Sequence, residues 1–95
     1  MGRKSLAAKY YEQVVEEYEE DKGTWLVLYD FKGIKPNTKF WTNMKRVGNL
    51  VDGGSLIQYR VFTTASKRGA ITVRRLAMHY GAETILYRAE QMDLD

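Results

Sequence analysis

The sequence predicts an α+β fold with an acidic helix at its start. Three observations carry this reading. Apolar residues recur at helical spacing in three separate stretches. Runs rich in β-branched and aromatic residues alternate with those stretches. Glycines and the single proline fall between the two kinds of segment and separate them.

The first stretch, "SLAAKYYEQVVEEYEEDKG", reads as a helix with Ser5 as N-cap. Ala7, Tyr11, Val14, Val15 and Tyr18 form its apolar stripe, and Glu12, Glu16, Glu17, Glu19 and Glu20 its wet side. Gly23 is the expected C-terminal cap. Acid at that end opposes the helix dipole, so the end is expected to fray or to meet a basic surface. "TWLVLYDF" follows as a strand, apolar on both faces until Asp30, which suggests a central position. "KGIKPN" is a loop. "TKFWTNMKRVG" is a second helix with Phe40, Trp41, Met44 and Val47 on one face, capped by Asn37 or Thr38 and closed by Gly48.

"NLVDGG" reads as a turn-rich connection. "SLIQYRVFTTAS" exceeds an average strand and is either one bent strand or two short ones. "SKRGAITVRRLAMHYG" is a third helix, capped by Ser66 and ended by Gly81. Gly69, Ala70, Val73, Leu76, Ala77 and Tyr80 make its buried face, while Arg68, Arg75 and His79 share another. "AETILYRAEQ" is the last strand. Without the leading helix, the order is the split pattern βαββαβ, the ferredoxin-like arrangement. The expected division is therefore an acidic helix over residues 1–23 and a ferredoxin-like domain over 24–95. Right-handed crossovers put both of its helices on one side of the sheet. The other face then needs cover, from the leading helix or from a second subunit.

The 95 residues suffice for one such unit. Absence of cysteine excludes a disulfide framework and a Cys-based zinc site. A single histidine, His79, argues against a His-rich metal site and a Ser–His–Asp triad. No apolar run is long enough to span a bilayer, and no secretory h-region follows "MGRKS", so a cytoplasmic protein is expected. The net charge of +3 is unevenly spread. Residues 1–22 carry four Lys/Arg against six Asp/Glu, and residues 23–95 carry eleven against six. A basic body suits a polyanionic partner.

Asp30 is the first candidate site residue, because strand ends are where α/β sheets display functional groups. One carboxylate is a poor Mg²⁺ site, but a twofold dimer would bring its mate alongside. The plainer reading makes Asp30 a turn residue that holds a backbone N–H of the "DFKG" loop. Arg60, set in "QYRVF" with Gln58 and Phe62 on the same pleat face, is a candidate phosphate or base contact. Lys67, Arg68, Arg74 and Arg75 on the third helix, with Lys45 and Arg46 on the second, could track a nucleic-acid backbone. The plainer reading for them is a solvated helix face. His79, Tyr10, Tyr11 and Tyr18 read as packing residues. Glu83 and Glu90 form no recognisable pair, and Gly53–Gly54 is no phosphate loop.

"WLVLYDF", a helix, "GGSLIQYRVFTT", a helix and a closing strand together resemble the small ferredoxin-like endonuclease subunit of the CRISPR spacer-acquisition machinery. The likeness rests on Tyr29, Asp30 and Phe31, then on Gln58, Val61 and Phe62, and covers about residues 24–90. It implies a homodimer with facing sheets, Asp30 as a metal-binding carboxylate for Mg²⁺, and nucleic acid as partner: double-stranded DNA, or RNA in toxin-type ribonucleases of the same fold. The implied activity is a metal-dependent phosphodiesterase, or a non-catalytic scaffold. Arg60 departs from the family's usual serine, and the leading acidic helix is a second departure. A nucleic-acid-binding adaptor and a protein-interaction oligomer are the alternatives on the same fold.

Overall fold

The fold is known from a computed structural model, which describes residues 4–51, 55–58, 60–90 and 92–94. The chain runs α1 (Leu6–Glu17), β1 (Lys22–Asp30), α2 (Thr38–Leu50), β2 (Ser55–Gln58), β3 (Val61–Ser66), α3 (Lys67–His79) and β4 (Glu83–Ala89). The strands form one antiparallel sheet in the order β2-β3-β1-β4. This is the ferredoxin-like fold with an additional N-terminal helix, and β1 is central as its two apolar faces required. The long "SLIQYRVFTTAS" segment resolves into two strands, β2 and β3.

The alternation of β1 sorts its side chains cleanly. Trp25, Val27 and Tyr29 are buried toward the helices, where Phe62 and Thr64 of β3 join them. Phe40 of α2 is fully buried and packs edge-on against Tyr29, Phe31 and Tyr80, with ring centroids 5.0–5.9 Å apart. Edge-to-face clusters of this kind add to the stability given by burial alone. α3 lies closest to the sheet and buries Gly69 through Val73, then Leu76 and Ala77. Gly69 is required there: a Cβ would stand 2.9 Å from Cγ2 of Val51, which is tighter than packed atoms tolerate.

Helix ends account for the differences from expectation. α1 stops at Glu17 with Tyr18 as its cap, and Gly23 lies inside β1. The reason is tertiary. Arg68, from α3, donates its Nε–H to the Tyr18 carbonyl at 2.8 Å and an Nη2–H to that of Val15 at 3.4 Å. A distant side chain thus satisfies carbonyls that a glycine turn would otherwise have served. α2 likewise runs past Gly48 to Leu50. Val51, extended and buried, caps it by donating its N–H to the Val47 carbonyl at 3.1 Å. The expected caps Ser5, Asn37 and Ser66 all accept a backbone N–H of their own helix. At the end of α3, Gly81 at φ 99° donates to Met78, and Ala82 donates to Ala77, which is a Schellman closure.

α1 does not cover the open sheet face. It lies on the helical side, packed on α2 and α3, and it lends Ala7 to the common core. Buried Asn43 fixes it there: Oδ1 accepts the Ala7 N–H at 3.0 Å, and Nδ2 donates to the Lys39 carbonyl at 2.9 Å. Ala7 is one of the first-turn donors of α1 that no helical carbonyl can serve. With all three helices on one side, the other face of the sheet carries no helix among the described residues.

Candidate functional site

The bare face follows from the register. Leu26 of β1 stands opposite Tyr87 and Thr63, and Leu28 stands opposite Ile85 and Val61. Opposed residues of an antiparallel pair point to the same side. Ile85 is 53% exposed and Tyr87 50% exposed. One end of this apolar floor is charged, because the last residue of β1 pairs with the first of β4, Asp30 with Glu83.

At that end a shallow cleft of about 380 Å³ is walled by Leu28, Asp30, Lys32, Arg60, Glu83 and Ile85 among others. A second cleft adjoins it, shared by Asp30 and Arg60 with Phe31 through Pro36 except Lys32. Asp30 is half-buried, and its Oδ1 accepts the Lys32 N–H at 2.8 Å. This is the turn role. It matters because Lys32 has φ 56° and Gly33 φ 80°, so two left-handed residues in a row need a fixed partner. The turn closes with Ile34 N–H donating to the Phe31 carbonyl at 3.1 Å. Lys32 Nζ then reaches the Glu83 carboxylate at 3.1 Å. The hydrogen bond and charge of Glu83, then the charge of Asp30, hold the Lys32 ammonium above its ordinary pKa.

Arg60 is not mid-strand. It is exposed in the turn between β2 and β3, and it does not share a pleat face with Phe62, which is buried against the helices. The β2–β3 register shifts just ahead of this turn, between Leu56 and Gln58. The Arg60 carbonyl accepts the Tyr29 N–H at 3.0 Å, and this fastens Arg60 beside the end of β1. The structure thus joins Asp30 and Arg60, although 30 positions separate them in the sequence. Glu83 is the residue that sequence reasoning missed as a member of this group. Its signal was the β1–β4 pairing, which sets the first residue of the last strand opposite the last residue of the first.

The cations of α3 lie elsewhere. Arg75 binds the carboxylate of Glu17, and its guanidinium also faces the Tyr18 ring, as does the ammonium of Lys67. Arg68 holds the α1 carbonyls. Arg74 is exposed and donates Nε–H to Thr84 Oγ1 at 3.2 Å, on a residue that walls the Asp30 cleft. Of the cations expected to track a backbone, Lys67, Arg68 and Arg75 lie against the end of α1 and the residue that follows it. His79 meets the Tyr10 hydroxyl at 3.2 Å. Gly53 and Gly54 lie outside the described residues, as do the side chains of residues 55–59.

Among the described residues no three His, Cys, Asp or Glu side chains converge as a metal cluster. Asp30 and Glu83 stand opposite each other in the register, and two carboxylates are as many as an Mg²⁺ ion that retains most of its water often takes. Asp30 Oδ2 carries no hydrogen bond to a described residue, whereas Lys32 competes for Glu83. Among the described residues no helix is long and apolar enough to cross a membrane. No protein-family model, curated protein or solved structure matches the chain.

Proposed function

We propose that the protein is a small nucleic-acid-binding homodimer, paired through its open sheet face, of the kind its resemblance to the CRISPR-associated endonuclease subunit implies. The observation that supports this reading most is the apolar floor of Leu26, Leu28, Val61, Ile85 and Tyr87, closed at one end by a charged rim. A flat apolar sheet face is self-complementary, and two such faces stack as in a sheet sandwich. Stacking would carry two copies of the rim to the edges of one assembly. Arg60, exposed and anchored among the described residues only through its backbone, is then the cation best placed to grip a phosphate, with Lys32 and Lys35 beside it. Mg²⁺ held by Asp30, with Glu83 as second ligand, would supply charge neutralisation at a phosphodiester. The cytoplasm is the compartment this reading calls for.

Fluorescence anisotropy with a labelled DNA duplex tests the reading. Affinity should fall steeply between about 50 and 200 mM salt, because phosphate contacts release counterions. Arg60→Glu should weaken binding roughly tenfold, as loss of a phosphate contact does. If Mg²⁺-dependent cleavage accompanies binding, Asp30→Asn should abolish it. No binding of duplex DNA or RNA at low salt overturns the nucleic-acid reading.

A further inference from the structure

The acidic end of α1 occupies the basic face of α3 in detail. Glu20 accepts the Ser66 hydroxyl at Oε2, 2.6 Å, and the Arg68 N–H at Oε1, 3.1 Å. Glu17 takes Arg75, Tyr18 lies under Lys67 and Arg75, and the Tyr18 and Val15 carbonyls take Arg68. Every one of these partners is an oxygen acceptor or a ring face. A nucleic-acid backbone offers anionic oxygens at close intervals to the same cations. Residues 18–21, between α1 and β1, belong to neither element, and the buried anchors of α1, Ala7 and Val14, lie outside the clasp. The clasp can therefore open without drawing those anchors out of the core.

We infer that the acidic segment Glu17–Asp21 masks a second nucleic-acid-binding surface, formed by Lys67, Arg68 and Arg75, and competes with the phosphate backbone for it. This rests on the nucleic-acid reading above but uses a different surface from the Arg60 rim. α1 is thus an internal polyanion that limits affinity as well as a packing helix. Glu17 holds Arg75 directly and Glu20 fastens the segment to the start of α3, so a nucleic acid that displaces the whole segment gains Lys67, Arg68 and Arg75 together.

The test compares the full chain with its Glu17→Gln/Glu20→Gln variant in duplex DNA binding over a salt series. The expected result is roughly tenfold tighter binding by the variant, with the log–log salt slope steeper by up to about 2.7 units, as three more phosphate contacts require. Glu16→Gln, a change at an exposed acid outside the clasp, should give a much smaller gain. Adding Arg75→Glu to the double variant should remove the gain. Thermal melts of each variant report folding separately. Equal affinities, with wild type and variant both binding, overturn the masking and leave the Arg60 reading standing. An equal gain from Glu16→Gln also overturns it, because bulk charge then accounts for the effect. Binding by neither protein overturns both readings together.

Discussion

The carboxylate of Asp30 commits one oxygen to the backbone of Lys32, so its side chain shapes the turn whether or not it also holds a metal. Asparagine could keep that acceptor while removing the charge, which makes Asp30→Asn a clean probe of chemistry. Tyr29, its neighbour, presents the opposite case. Its hydroxyl is buried and has no hydrogen-bond partner among the described residues, and burial pushes its pKa from 10.0 up to about 12. An unpaired buried hydroxyl is destabilising, whereas the ring packs well against Phe31 and Phe40. Tyr29→Phe should therefore raise stability by about 1 kcal/mol in chemical denaturation at neutral pH. The raised pKa also sets an alkaline window. The neutral ring's stabilisation is fully present below pH 10.0, the unfolded value, and is lost as pH rises through about 12. The Phe variant should lack this part of the alkaline loss. A variant less stable than wild type at pH 7 would show that the hydroxyl has a partner after all.

At the scale of elements, the junction of α1 with α3 depends on Glu20. Burial works against its charge, but hydrogen bonds from Ser66, Arg68 and Asp21, with the nearby Lys22 ammonium, outweigh that and hold its pKa below the usual 4.5. A carboxyl depressed on folding stabilises above its unfolded pKa and loses that contribution as pH falls through the folded value. Acid titration followed by far-UV circular dichroism and a thermal melt should show Tm dropping below about pH 4.5 in wild type, and dropping less in Glu20→Gln. Identical acid profiles would remove Glu20 from the junction.

The same elements show what the sequence made legible. Helical stripes, N-caps and the Gly81 stop were readable because they depend on residues close in the chain. The end of α1 was not, since Arg68 fixes it from 50 positions downstream. Nor was Arg60: strand propensity ran straight through "IQYRVF", and the hairpin is decided by how β3 pairs with β1. The α3 cations Lys67, Arg68, Arg74 and Arg75 looked like a solvated or nucleic-acid-binding face, because charge patterning cannot tell a free cation from one that an acidic helix will claim.

At the scale of the whole molecule, the decisive asymmetry is helices on one side of the sheet and, among the described residues, none on the other. Asp30 paired with Glu83, the Arg60 turn and the apolar floor all face or border that open side. The class of fold was legible from element order alone, and so was the need to cover one sheet face. The occupant of the face was not, because the leading helix could have served equally well until its packing on α2 and α3 was seen. Its Asn43 tether and Arg68 cap make the helical side its stable home.

Sedimentation equilibrium on the full chain tests the central claim directly, comparing wild type with Leu28→Asp. Leu28 sits in the middle of the open floor, opposite Ile85 and Val61, and only half-buried in one copy. The account predicts a wild-type species of twice the chain mass. It predicts a folded monomer for the variant, with its circular dichroism spectrum preserved. A wild-type protein that stays monomeric at high micromolar concentration would contradict it, and so would a Leu28→Asp protein that still dimerises.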